Sequence, residues 1–391
     1  MPTVESLLLA ITYFTLGINA FVLVHCLVKT SLHKKYLALF FFASLVNYLD
    51  DVFWRTEGWQ LFPALTNAYI PFAFIMPIAF YLYIQALIKP EKRVKLFNIQ
   101  WVGFIFALVC CSPYYLLDSV TKLARLSSAP GSLSSMGLIT WGPSIALLVF
   151  IPFGLIYIFL CLRLLKDNQI RIKSFFSNIE DKSLSWVRWV IFILMLAWLL
   201  ASIELILPSQ ISENSYWSII IAVFELSWIW VFAHFAMQQN ELLIPLDELE
   251  NNHEKLNDLI TNEDTEKEPI PQKKYQRSPL SDNEVNQIKT ALSSSIDQQL
   301  HRQAELSLHN LAEHLNIPVI KISQVLNVHM KTGFYDYINK NRIVDACEQL
   351  KSSSLNIIDI AYLVGFNSKS TFNSAFKKHT QMTPSQFKKT G

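Results

Sequence analysis

Two short stretches of this chain place small polar side chains on one helical face. In the first, a helix that buries Ile322, Val325 and Leu326 exposes Ile320, Lys321, Ser323, Gln324 and Asn327. In the second, Lys369, Ser370, Asn373 and Ser374 lie opposite a ridge of Phe372, Ala375 and Phe376. Faces of amides, hydroxyls and an ammonium can enter a major groove and hydrogen-bond base edges. Catalytic patterns are not in view. The sequence has no HExxH, no GxSxG, no Gly-rich phosphate loop and no paired ligand motif, so the chain reads as no enzyme. The cysteines Cys26, Cys110, Cys111, Cys161 and Cys347 show no CxxC spacing and no Cys/His cluster. We expect no disulfide framework, no metal site and no cofactor.

The elements that must hold those faces can be read from caps and periodicity. Asn356, with Asp359 three residues on, is a helix start signal. Ile357, Ile360, Ala361 and Val364 share one face, and Gly365 ends that helix where a left-handed residue is cheap. Ser368 can cap the helix that follows. Upstream, Ser281-Asp-Asn-Glu284 is a capping box opening a helix to about Leu300. Ser307 caps the next, whose core face is Leu308, Leu311, Ala312 and Leu315; Asn316-Ile-Pro318 makes its turn. A long connecting helix is expected from about Tyr335 to Leu350. The segment repeats itself. Leu311-Ala312-x-x-Leu315 matches Ile360-Ala361-x-x-Val364, and Ile322 to Leu326 matches Phe372 to Phe376.

This stretch resembles the DNA-binding domain of the AraC/XylS family of transcription regulators. The residues that carry the resemblance are Ile360-Ala361, Gly365-Phe366, Ser368, Ser370, Phe372, Phe376-Lys377 and Thr383-Pro384, with the upstream copy at 307–330. Gln381 departs from it, standing where the family usually has glycine. The resemblance implies an all-α domain over 280–391 with helix-turn-helix units at about 307–330 and 357–380. It implies that Ile320, Ser323, Gln324 and Asn327 in one copy, and Lys369, Ser370, Thr371 and Asn373 in the other, face bases or phosphates. Gln324 and Asn373 can bond adenine bidentately. Lys321, Lys331, Arg342, Lys377 and Lys378 would hold phosphates. Double-stranded DNA is the implied partner, with RNA polymerase beside it, and many such regulators pair with a second copy.

The rest of the chain is of another kind. Of 391 residues 52% are hydrophobic and only 16% charged, against about a quarter charged in ordinary soluble domains. Seven apolar runs, at about 4–28, 36–54, 67–88, 97–117, 139–162, 186–207 and 216–237, are each long enough to cross a bilayer. The first lacks the basic start and small-residue cleavage site of a signal peptide. Lys29, Lys34, Lys35, Lys89, Lys92, Arg93, Lys95, Arg163, Lys166, Arg171, Lys173 and Lys182 flank one side of these runs; Arg55, Lys122 and Arg125 flank the other. The positive-inside rule then places the N-terminus outside and the C-terminal domain in the cytoplasm, the chain sitting multi-pass in the inner membrane. Pro71 and Pro77 in the third run, and Pro143 and Pro152 in the fifth, mark either fixed kinks or moving hinges.

Acids inside apolar runs are costly and prompt a functional reading. Asp50, Asp51, Glu204 and Glu225 all fall in the outer half of the seven-helix bundle. They could form an outward-facing polar pocket for a cation, a proton or a small polar molecule. Alternatively Asp51 pairs with Arg55 at i,i+4 and the others reach headgroups. Residues 238–279 form an acidic linker, with net charge −8 over 238–272 against +4 over 1–237 and +6 over 273–391. Its leucines could extend the last helix or pair two chains, and its Asn262–Pro271 part looks open to a protease. The chain therefore reads as a membrane-tethered, sequence-specific transcription regulator. A membrane receptor or transporter whose helix-turn-helix contacts protein is the other reading.

Overall fold

The computed structural model describes residues 3–29, 31–88, 101–126, 141–180, 184–206, 215–239 and 280–390. Most of the acidic linker, the segment 127–140 and the loop lysines 89–95 lie outside these residues. The described chain is helical, apart from an isolated antiparallel bridge between Phe176 and Ser307. It divides into two compact units, Met1–Leu165 with Leu184–Leu242, and Lys166–Ser183 with Leu243–Gly391.

The first unit contains α1 (Val4–Leu27), α2 (Leu32–Arg55), the short α3 (Gly58–Leu61), α4 (Ile70–Ile88), α5 (Val102–Tyr115), α6 (Ser119–Leu126), the first part of α7 (Gly142–Phe175), α8 (Ser185–Ile206) and α9 (Ser215–Gln238). Every apolar run thus contains a helix. Among the described residues five segments, Val4–Leu27, Leu32–Arg55, Pro63–Ile88, Gly142–Phe175 and Trp217–Gln238, are long and apolar enough to cross a membrane; Val102–Tyr115 and Ser185–Leu196 are apolar but shorter. The central helix is α4, whose Ile70, Phe74, Ile78, Tyr83, Ile84 and Leu87 are wholly buried. Aromatic rings fill the space around it: Phe40 meets Phe232 at 5.0 Å and Phe74 meets Phe153 at 5.0 Å. Elsewhere large apolar side chains face outward, among them Phe14, Phe21, Leu148, Phe159 and Trp189. Water would penalise that surface and lipid would not. Pro71 and Pro143 sit in first turns, where the missing N–H costs nothing; Pro77 and Pro152 lie inside their helices.

The last carbonyls of α9 are captured by side chains. Buried Lys34 donates from Nζ to the carbonyls of Ala236 at 3.0 Å and Met237 at 2.8 Å. Tyr83 adds its hydroxyl to Ala236, and Trp186 donates to the Gln239 side chain. A lysine at a helix C-terminus satisfies orphan carbonyls and the negative end of the helix dipole together. Lys34, counted in sequence as a loop cation, thus works as a cap.

The second unit holds α10 (Asp282–Asp297), α11 (Leu308–Leu315), α12 (Val319–Gln324) running into a π-helical turn at Val325–His329, α13 (Phe334–Ser352), α14 (Ile357–Leu363), α15 (Lys369–Thr380) and α16 (Pro384–Thr390). The capping box at Ser281 forms as expected, and Ser307, Asn356 and Ser368 each accept a backbone N–H from the helix they open. Two cores result. Val285, Ile288, Leu292, Leu308, Leu311, Ile322, Leu326, Phe334 and Ile338 make one; Ile343, Ala346, Leu350, Ile360, Ala361, Phe372 and Phe376 make the other. Both rest on α13, the first on its N-terminal half and the second on its C-terminal half. The repeat extends to the backbone, since Asn316 and Gly365 stand at matching positions and are both left-handed, with φ of 53° and 97°. Gly365 is also hemmed in, because a Cβ there would lie 2.7 Å from the Arg302 carbonyl oxygen. Gln381, the departure noted in the sequence, is left-handed too, with φ of 61°.

Candidate DNA interface

The two polar faces sit on helices that their own cores hold firmly. In the first, Ile322, Val325 and Leu326 are buried, which turns Ile320, Lys321, Ser323, Gln324 and Asn327 to a part-exposed surface. Several of these are already engaged. Lys321 Nζ lies 2.8 Å from Glu284 Oε1 on α10. With the Ser281 backbone and hydroxyl, that ammonium lowers the Glu284 carboxyl to about 2. Asn327 donates back to the Ser323 carbonyl at 2.9 Å. Among the described residues no hydrogen bond holds the part-exposed Gln324 amide.

In the second unit the burial of Phe372, Ala375 and Phe376 leaves Lys369, Ser370, Ser374 and Lys377 exposed and Asn373 half-buried. A concavity of about 870 Å³ runs between α14, α15 and α16; Lys369, Asn373 and Lys377 from the expected set line it, with Thr383 and Lys388 beside them. Among the described residues its lining contains no acid. A basic trough next to a recognition helix suits a phosphate backbone. Lys388 was not singled out in sequence. It comes to the trough because Phe387 packs on Phe376 and fixes the last helix.

One expectation is overturned. Arg342 does not present a free guanidinium to phosphate. It is wholly buried and donates to the carbonyls of His301 and Gln303, each at 2.7 Å, and to Asn339 and Ser177. Burial lowers it to about 10. It closes the joint between the two cores, where Arg302 also grips Asp345 through Nε at 2.6 Å and a second nitrogen at 2.9 Å. The cause is register, since position 342 faces inward on α13 between Ile338 and Ala346. Lys378 is exposed but pairs with Asp336 at 2.6 Å.

A second finding was not legible in the sequence. The end of α7 and the residues after it dock onto this domain. Phe175 is buried in the first core beside Leu306 and Leu308. The Ser177 backbone N–H donates to the Leu306 carbonyl at 3.1 Å, and the Asn339 side chain donates to the Ser177 carbonyl. Asn178 reaches Glu305 at 2.8 Å, and Lys173 lies over the Tyr335 ring. Glu180 accepts hydrogen bonds from the Ser368 and Thr371 hydroxyls. It thereby places a carboxylate at the N-terminus of α15, where the helix dipole favours an anion. Thr371, expected to meet DNA, is thus engaged from within the chain.

A family model described as a helix-turn-helix domain matches residues 311–390. A probable transcription factor, PqrA of Proteus vulgaris, is 28% identical over 112 residues, which cover 29% of this chain and 88% of that protein. An uncharacterized HTH-type transcriptional regulator of Staphylococcus aureus strain COL is 31% identical over 112 residues, again 29% of this chain but only 14% of the relative. Among solved structures, the C-terminal domain of AraT, a response regulator from Geobacillus stearothermophilus, is 29% identical with a TM-score of 0.25, covering 29% of this chain and 89% of that one. The C-terminal domain of the two-component response regulator yesN from Fusobacterium nucleatum is 26% identical with a TM-score of 0.23, covering 27% and 98%. The helices of the first unit lie outside the family match.

Proposed function

We propose that this chain, whose C-terminal region carries an AraC-type helix-turn-helix domain, is a membrane-tethered, sequence-specific DNA-binding transcription regulator. The observation that carries the reading is the pair of repeated units on α13. Each presents a recognition helix with a polar outer face, and the second stands beside a basic trough. Two such helices on one rigid helix suit successive major-groove faces about one DNA turn apart. Tethering is supported by five long apolar helices and by the apolar side chains they turn outward. The loop charges support a cytoplasmic C-terminal domain.

The route of coupling in this proposal is the segment 175–180. It begins at the last residue of α7, packs that phenylalanine into the DNA-binding core and sets Glu180 at the head of the second recognition helix. DNA phosphate seeks that same helix terminus, so loop and DNA compete. A signal taken up by the apolar helices acts by shifting this competition. Glu225 and Asp51 are the proposed acids of the signal site; Asp50 lies beside it, and the Glu204 side chain falls outside the described residues.

The test is DNA binding by the full-length chain in lipid nanodiscs, against sites found by genome-wide mapping. Gln324→Ala and Asn373→Ala each cost about 1–3 kcal/mol at the cognate site and relax selectivity there. Unchanged affinity and selectivity in both variants would sink the interface.

A further inference from the structure

Between α1, α2, α4, α7 and α9 lies a cavity of about 480 Å³, within the size range of small-molecule sites. It sits at one end of the helices. The wall draws on the N-terminal halves of α1, α4, α7 and α9 and on the C-terminal half of α2, the end opposite Lys34 and the α9 terminus. Carboxylates come from Asp51 and Glu225, hydroxyls from Thr12 and Ser44, and ring faces from Tyr48 and Phe150.

Charge and hydrogen bonding define the chemistry. Among the described residues the lining holds two carboxylates, Asp51 and Glu225, and one guanidinium, Arg55, a set that can attract a cation. Asp51 is pre-oriented, accepting from Arg55 Nε at 2.8 Å and from the Thr12 hydroxyl at 2.8 Å. The i,i+4 pair read from sequence therefore forms, and forms inside the cavity wall. Ser44 is fully buried, and its hydroxyl has no partner among the described residues. A buried unpaired hydroxyl is costly, and on a cavity wall it is an offer to a ligand. The space is far larger than a bare ion needs, and rings and aliphatic side chains line much of it. Among the described residues no group of three or more His, Cys, Asp or Glu could hold a metal.

We propose that this cavity binds a small organic ammonium ion. Its charged nitrogen lies between Asp51 and Glu225, a polar group meets the Ser44 hydroxyl, and its carbon skeleton rests on Tyr48 and Phe150. The inference rests on reading the apolar helices as a sensor, but its test uses no DNA.

The full-length chain in nanodiscs carries Ser44→Cys and is treated with 2-aminoethyl or 2-sulfonatoethyl methanethiosulfonate, each rate being divided by that on a free thiol. The wild-type chain gives the background of the native cysteines. The ammonium reagent is expected to modify the introduced thiol roughly ten-fold faster than the sulfonate. Phenethylamine at about 10 mM slows the reaction and 2-phenylethanol does not. Glu225→Gln in the same background shrinks the preference. Asn47→Cys, also on the wall, repeats the measurement should the first variant fold poorly. Equal normalised rates, a sulfonate preference, a preference untouched by Glu225→Gln, or no protection by the amine would each overturn the proposal. Failure of the sensor reading looks different, since the amine then protects the thiol but leaves DNA occupancy unchanged.

Discussion

Arg342 shows how burial decides the role of a charge. A guanidinium on a helix between two DNA-reading units invites assignment to phosphate, yet its donors are spent on the His301 and Gln303 carbonyls and on Ser177. Removing it strands those acceptors in the joint. Arg342→Leu is therefore expected to destabilise the C-terminal unit by about 3 kcal/mol or more, read from hydrogen exchange of α13 to α15 in the full-length chain. Selective loss of DNA binding with unchanged exchange would restore the phosphate role. Titration at the same joint has a definite sign. Burial, with the Arg302 and Arg342 cations, holds His301 below its ordinary value of 6.5 despite Asp345. A depressed histidine contributes stability above 6.5 that is lost as pH falls below it. Glu284 is depressed to about 2 from an ordinary 4.5, so its contribution is lost only as pH falls from 4.5 towards 2. The denaturation midpoint of this unit should drop in two stages on acidification, and His301→Gln should remove the first. A single transition below pH 4.5 in the native chain would contradict the buried neutral imidazole.

At the scale of elements, the legible parts were those written in local periodicity and caps. Ile360-Ala361, Phe372 and Phe376 announce a buried ridge, Ser281 to Glu284 a helix start, and the spacing of Leu311 and Ile360 a duplicated unit. The ridge and the cap depend on residues three or four apart, and the duplication on one such short motif recurring further along the chain. The dock of α7 on the DNA-binding domain depends on pairs 127 to 191 residues apart, and polar contacts of that kind leave no period to read. The helix also outruns its apolar run, continuing through Arg163, Lys166 and Lys173 to Phe175 because no breaker interrupts it. With Phe175 packed in the DNA-binding core, Glu180 is the working end of the segment that follows it. Glu180→Gln keeps the shape and removes the charge that competes with phosphate. We expect the full-length variant to bind its DNA site roughly three- to ten-fold tighter without ligand, the scale of one helix-terminus charge, with an unchanged melting midpoint. Weaker binding would mean that Glu180 supports the recognition helix rather than blocks it.

For the whole molecule, loop charge and cavity position point to the same direction across the membrane. The cations Lys29, Lys34, Lys35, Arg163, Lys166, Arg171 and Lys173 gather where α1 ends, α2 begins and α7 leaves its apolar run, which the positive-inside rule assigns to the cytoplasm. The cavity with Asp51, Glu225 and Ser44 opens among the opposite helix halves. A regulator that reads an external amine and acts on DNA needs that polarity: acids at the outer end, the α7 rod and the capped end of α9 at the inner. The reverse orientation would strand a basic DNA-binding domain outside the cell and turn the cavity inward. Orientation is measurable with a membrane-impermeant thiol reagent on intact cells. Thr3→Cys, at the cap of α1, should label directly, and Ser281→Cys, at the cap of α10, only after lysis. Labelling of both in intact cells, or of Ser281→Cys alone, would break the link between membrane signal and DNA. The pattern expected here would instead require DNA to come to the bilayer, or the acidic linker to be cut.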